Sequence, residues 1–389
     1  AGLFVLPFIF STQSTTEQMR VPKAQFLILL SGIFLASRIA QRVCYILGGA
    51  VALIYLSAFF VSPIFPSNSL LALSAALLSG LFVAELKKHD IERGLKIFEL
   101  SALTCAGYAM FLQLPGIDPL LTMVDGHDHR RVMVFFGQHT LYGPFCVAAV
   151  ASALFNKRIY RAILLAAPIF FINASFTYLS FAVVLALFFI HKFGTKAVIF
   201  LSAIGVVAAA FICISVISQK SVRIEALNDN GRFALWKVTY AIAKARPKIG
   251  HGFASFQYQF QAFQDKSIRE ANGIDDSTLS PEAQKILKDA AELKLRSGRF
   301  LSAHNEYLET FYEFGWIGPV FCLLLIFKFL TSWLDGQRGP FEWALCAIFL
   351  SFCANAVGNF SFHLVPQGLL PLWSFVAVTS RRRKDILNP

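Results

Sequence analysis

Apolar stretches long enough to span a membrane recur from one end of the 389-residue chain to the other, joined by short polar connections. A helix needs about 20 such residues to cross the hydrocarbon core. Within lipid every backbone N–H and C=O has to be satisfied internally, which leaves helices for stretches of this kind. Spans are expected near 1–10, 24–37, 43–63, 69–86, 97–114, 133–154, 159–173, 175–191, 195–217, 304–328, 340–358 and 364–380. The expected fold is an all-α polytopic membrane protein of about twelve transmembrane helices. Composition agrees: 56% of residues are hydrophobic and only 15% charged, against about 45–50% and about 25% in a soluble domain. The excess apolar surface has to face lipid.

A formal net charge of +12 would suit a nucleic-acid partner if the cations formed one surface. They are distributed by loop instead, so no nucleic acid is expected. One alternating set of connections carries Arg38 and Arg42, then Lys87, Lys88, Arg93 and Lys96, then Lys157, Arg158 and Arg161, then Lys192 and Lys196, then Lys328 and Arg338. The tail Arg381-Arg382-Arg383-Lys384 falls on the same side. The opposite short loops hold only Arg20, Lys23, Arg130 and Arg131. Lysine and arginine accumulate in cytoplasmic loops, so both termini are expected in the cytoplasm. The seven cysteines (44, 105, 146, 213, 322, 346 and 353) lie in apolar stretches without C-x-x-C spacing. They read as small core residues rather than disulfides or zinc ligands.

One hydrophilic segment, 218–303, is too long to be a simple connection, and long loops of this kind are usually functional. It divides the chain into 1–217 with about nine spans, 218–303 as a loop, and 304–389 with about three spans and the basic tail. Parity of the spans puts the loop outside the cytoplasm. Apolar residues at 233, 236, 240 and 243 have helical spacing. That helix should stop at Pro247, with a turn at Gly250-His251-Gly252. Ser280-Pro281-Glu282 supplies a capping hydroxyl and a first-turn proline for a charged helix running to about Ser297.

Chemistry concentrates where the loop re-enters the membrane, at His304-Asn305-Glu306-Tyr307-Leu308-Glu309-Thr310-Phe311-Tyr312-Glu313-Phe314-Gly315-Trp316-Ile317-Gly318. In a single helix, at about 100° per residue, His304 and Gly315 would share a face with Leu308 and Phe311. A histidine at that boundary either caps a helix end or accepts a hydroxyl proton near neutral pH. Glu306, Glu309 and Glu313 form an acidic face that structure alone explains, or that pairs with loop arginines. Asp125, His127, Asp128 and His129 are the nearest approach to metal-ligand spacing, without a clear further ligand. No metal or other cofactor is expected.

His304-Asn305 followed by Gly315-x-x-Gly318 resembles the signature of the O-antigen ligase superfamily, which also holds O-antigen and exopolysaccharide polymerases and O-oligosaccharyltransferases. Gly231-Arg232 with Trp236, then Pro247, Gly250, Gly252 and Phe256, are similar to the pattern of that superfamily's long periplasmic loop. Phe136-Gly137-Gln138-His139-Thr140-Leu141-Tyr142-Gly143 is similar to an earlier element, with His139 at an asparagine position. The chain departs from the pattern at Asn173-Ala174-Ser175-Phe176-Thr177, where many members carry Ser-Arg-Gly.

The resemblance implies a GT-C-like membrane glycosyltransferase in the bacterial inner membrane, surrounded by membrane lipids, with its active site on the periplasmic face. The donor would be an undecaprenyl-diphosphate-linked glycan and the acceptor the lipid A–core or another glycan. Transfer would invert the anomeric centre without a metal. His304 would be catalytic, Arg232, Arg299 and Arg223 would hold the diphosphate, and Asn305, Gly315 and Gly318 would support the site. Arginine suits this role because its charge is permanent and its planar fork matches phosphate oxygens. A ligase is the first reading and a polymerase the second. A transporter or flippase is a more remote alternative, since transporters place ionisable residues at the membrane midplane and these spans are nearly free of charge.

Overall fold

The computed structural model describes residues 88–111, 139–172, 174–194, 232–252, 303–335, 338–359 and 369–387, with positions 83, 86, 196, 255, 256 and 260. Among them every regular element is an α-helix: α1 (Lys88–Phe111), α2 (His139–Phe155), α3 (Ile159–Ile172), α4 (Ser175–Phe193), α5 (Arg232–Ala245), α6 (Glu306–Phe314), α7 (Ile317–Leu334), α8 (Pro340–Asn355) and α9 (Leu369–Leu387). The chain divides into two compact units, Ala1–Phe188 with Leu324–Pro389, and Phe189–Leu323.

The first unit is built around α2. From Tyr142 to Ala153 this helix is buried on every side, and Cys146, Val147, Ala148, Ala149, Val150 and Ala151 keep its surface narrow. Small side chains let neighbouring helices approach closely where lipid offers no hydrophobic drive between them. α1, α3 and α8 pack on α2, and α9 packs on α8. Aromatic rings fill the remaining space, with Phe98 edge-on to Phe145 at 5.0 Å and Trp333 edge-on to Trp343 at 4.7 Å. Phe329 stacks on Phe349 at 4.0 Å. Cys105, Cys146 and Cys346 are buried among these residues, as their apolar setting in the sequence implies.

Among the described residues two helices have an apolar run of 18 residues, Phe176–Phe193 and Ile317–Leu334, with mean hydropathy 1.8 and 1.9. Each is about 27 Å long, enough for a hydrocarbon core of about 30 Å. Only 17% of each run is buried, and Val320, Phe321, Leu323, Leu324 and Phe327 on α7 are exposed. Such a surface belongs in lipid.

Three boundaries differ from the expectation. The span placed at 97–114 begins earlier, because Lys88, Arg93 and Lys96 are already helical in α1. The basic tail Arg381–Lys384 lies within α9. The stretch read as one span over 304–328 is two helices, α6 and α7, separated at Gly315 and Trp316. The helix expected around 233–243 is α5, and it ends ahead of Pro247. The expected spans before residue 88, the loop helix near 281–297, Arg223, Arg299, and the Asp125–His129 group lie outside the described residues.

Candidate active site

The site belongs to the second unit, and its core is small. Leu235, Ile242 and Ala243 from α5 pack with Phe256, Phe260, Ala303, Phe311 and Tyr312. This core joins α5 to α6, and the two ends of α6 are then fixed in different ways.

At its start, Asn305 is the cap. Its extended backbone (φ −156°, ψ 106°) lets the side-chain oxygen accept from the Leu308 N–H at 2.9 Å, satisfying one of the helix's orphan donors. The preceding residues are tied down as well. The Trp236 indole donates to the Ala303 carbonyl at 3.0 Å, and the Ala303 N–H donates to Glu309 Oε2 at 2.8 Å. His304 stands between these two anchors with φ +51°. A histidine tolerates the left-handed region better than most residues, yet the conformation persists only where its surroundings impose it. His304 therefore precedes the helix rather than belonging to it. The shared helical face with Gly315 that a single helix would give is corrected on two counts: Asn305 sets the start, and Gly315 ends α6.

At the other end, glycines allow backbone to meet backbone. Gly315 has φ +62° and ψ −153°, a backbone conformation open essentially to glycine alone, and donates to the Phe311 carbonyl at 2.9 Å. A methyl group at Gly315 would overlap the carbonyl of Pro247, and one at Gly250 (φ +66°) would overlap the carbonyl of Glu313. His251 N–H donates to the Tyr312 carbonyl and Gly252 N–H to the Glu313 carbonyl, both at 2.9 Å, while Trp316 N–H donates to the Pro247 carbonyl at 2.8 Å. The turn after α5 thus satisfies the carbonyls that end α6. The Pro247–Gly252 and Gly315 elements, which stand far apart in sequence, are two halves of one interlock. Gly318 continues it: a Cβ there would overlap the Thr310 carbonyl.

His251 supports this joint. Its ring stacks on Tyr312 at 4.6 Å, and its Nε2 donates to the Ile242 carbonyl at 3.1 Å. Glu306, Glu309 and Glu313 are all buried, and Glu309 acts as the clamp on Ala303. The clamp pair Trp236 and Glu309 is what the sequence reading did not single out as such. Arg232 is the first residue of α5, one turn ahead of Trp236.

In the first unit, the element that ends at Gly143 meets the stretch at which the chain departs from the family pattern. Gly143 of α2 packs so tightly on Thr177 of α4 that a Cβ would overlap the hydroxyl, and Gly358 does the same with the Phe176 ring. Thr177, Asn355 and Asn359 are buried there, with Asn359 Nδ2 donating to Asn355 Oδ1 at 3.1 Å. His139, the variant position of that element, opens α2.

No curated protein matches the chain. Residues 160–323 match the O-antigen ligase family model, a segment that holds α3 to α6 with His304, Asn305, Gly315 and Gly318. Proteins of this family are membrane-integral, glycosyltransferase-like enzymes acting on lipid-linked glycans. The match, over residues 160–323 of 389, supports membership of the O-antigen ligase superfamily.

Proposed function

We propose that this chain is an O-antigen ligase, moving a glycan from undecaprenyl diphosphate to a hydroxyl of the lipid A–core on the periplasmic side of the inner membrane. The observation that carries the reading is His304, held in a left-handed conformation between two anchored neighbours inside the family-matched segment. Residues kept in sparsely populated conformations cluster at working sites, where fixed geometry is needed. The acceptor oxygen attacks the sugar's C1 as the bond from C1 to the diphosphate oxygen breaks. The hydroxyl proton passes to the His304 imidazole, and undecaprenyl diphosphate leaves with the bond's electron pair. A single displacement of this kind inverts C1.

Arg232, with Arg299 and Arg223, offsets the charge that grows on the diphosphate. Arg232 opens α5 one turn before Trp236, whose indole holds the residue next to His304, which supports its assignment. Asn305, Gly315 and Gly318 fix the backbone. The reaction as written needs no metal. The test is transfer from purified lipid-linked donor to lipid A–core. Arg232→Lys should lose nearly as much rate as Arg232→Ala, about 2–4 kcal/mol of transition-state stabilisation, because lysine keeps charge without the fork. Full activity in Arg232→Ala would move the donor site elsewhere.

A polymerase, whose acceptor is another lipid-linked unit, is the second reading, since the family match covers both reactions. Deleting the gene separates them. Core without any O-chain, with lipid-linked polymer accumulating, identifies a ligase; core bearing a single unit identifies a polymerase.

A further inference from the structure

The bundle unit carries a second group of cations. Arg93 and Lys96 lie about one turn apart on α1, and Arg158 and Arg161 have the same spacing across the start of α3. With Ile97 and Leu100 they line an open groove of about 400 Å³, and no carboxylate is among its described lining residues. The adjoining groove, of about 320 Å³, is closer to charge balance, with two carboxylates, Glu92 and Glu342, against Lys88, Lys96 and Arg158. Lys88 there is paired with Glu342 at 2.7 Å.

Two of the four cations of the first groove, Arg158 and Arg161, are anchored from below. Glu99 is 0% exposed. It accepts from Ser152 Oγ at 2.7 Å and from Arg158 Nη1, and Arg161 Nη1 lies 3.7 Å away. A buried carboxylate is costly unless paired, so its pairing fixes where these guanidinium groups stand. One carboxylate against four cations leaves the groove positive, and the positive end of the α3 dipole adds to it. Membrane topology asks only for cations near this side. It requires neither a buried anchor nor a groove.

Beyond the cations, the outward face of α1 turns apolar. Leu100 is 53% and Phe111 51% exposed. Thr104 lies between them, as does Gly107, where a Cβ would meet nothing within 4 Å. From Leu100 to Phe111 the helix rises about 16 Å, about half of a hydrocarbon core of ~30 Å. On α3, Ile163 and Leu164 are also exposed. Fixed cations at the head of an apolar stripe one leaflet long match a phosphate headgroup with an acyl chain.

We propose that the groove formed by Arg93, Lys96, Arg158 and Arg161, with the Leu100–Phe111 stripe below it, is a binding site for an anionic phospholipid of the leaflet that these basic residues face. Basic pockets between membrane helices bind such headgroups. Arg93, Lys96, Arg158 and the stripe lie outside residues 160–323, so the family match does not supply the site. It is also independent of the assignment of His304.

The test uses the full chain in nanodiscs of phosphatidylcholine doped with phosphatidylglycerol, with retained lipid measured by native mass spectrometry on release. The expected result is selective retention of phosphatidylglycerol by the wild type. An Arg93→Gln, Lys96→Gln, Arg161→Gln variant should lose at least tenfold of that preference, at roughly fivefold per cation. Lys328→Gln with Arg338→Gln, which removes cations elsewhere on the same expected side, should keep it. Leu100→Gln should weaken lipid retention while leaving the protein's elution and melting temperature unchanged. Equal loss in the Lys328 and Arg338 variant would reduce the effect to general surface charge and overturn the site. Displacement of the lipid by millimolar inorganic phosphate, with Leu100→Gln silent, would make it a site for free phosphate and overturn the lipid assignment.

Discussion

The two units hold their helices together by different means. In the bundle around α2, helices meet through side chains: alanine and cysteine set the spacing, and rings such as Phe329 and Phe349 fill it. In the α5–α6 unit, backbone meets backbone, with three N–H groups donated across the joint between 247–252 and 312–316. Side-chain packing can be redistributed when one residue changes, because neighbouring rotamers adjust. A main-chain joint has no rotamers to adjust. The proposed chemistry falls to the unit whose geometry tolerates the least drift, as a site that must hold reacting atoms in place requires.

The strongest way to break this comparison is at His304. His304→Ala should lower transfer by about 10²–10⁴-fold, the usual contribution of a positioned acid–base group, while expression and melting temperature stay close to wild type. His304→Gly should lose as much activity yet match or exceed wild-type stability, since glycine adopts a positive φ without strain. Wild-type transfer in either variant would remove the imidazole from the reaction.

Next in size is the interlock. Gly250→Ala or Gly315→Ala meets both a left-handed backbone and a carbonyl in the way. A cost above about 3 kcal/mol is expected, beyond the ordinary range for single substitutions, visible as loss of folded protein by detergent gel filtration. A smaller change tests the clamp. Trp236→Phe removes the indole donor to Ala303 and should cost about 0.5–1.5 kcal/mol in stability, with transfer falling further than melting temperature because His304 loses one anchor. The smallest effect belongs to the bundle. Gly107→Ala has open space around it and should stabilise α1 by up to about 1 kcal/mol, read as a small rise in melting temperature. If Gly107→Ala and Gly315→Ala behaved alike, the distinction between the units would fail.

What could be read from the sequence follows the same division. Helices of the bundle announce themselves through hydropathy: α3 and α4 match the expected spans within a few residues, despite having only 173 and 174 between them. α5 is equally plain, because its apolar spacing and Pro247 are local signals. The break between α6 and α7 was hidden by continuous apolarity through Trp316 and Ile317. Gly315, which ends the helix, was the one local hint; the Pro247 carbonyl that receives the Trp316 N–H is close in space and distant in sequence. The acidic face of α6 shows the same limit. Glu306, Glu309 and Glu313 have the spacing of a solvated stripe, and only the packing of the unit buries them.

The hydrogen bond from Trp236 to Ala303 reaches across 67 residues. Together with the contacts of 247–252 on 312–316, it holds the two ends of the intervening chain in fixed positions. The entropy of joining those ends grows only with the logarithm of the length between them, about 0.6 kcal/mol for each doubling. A change in the number of residues between those ends therefore costs little in closure entropy, and the hydrogen bonds to Ala303 do not depend on it. The number of residues between the two anchors is thus a quantity that can change without moving the proposed reacting centre at His304.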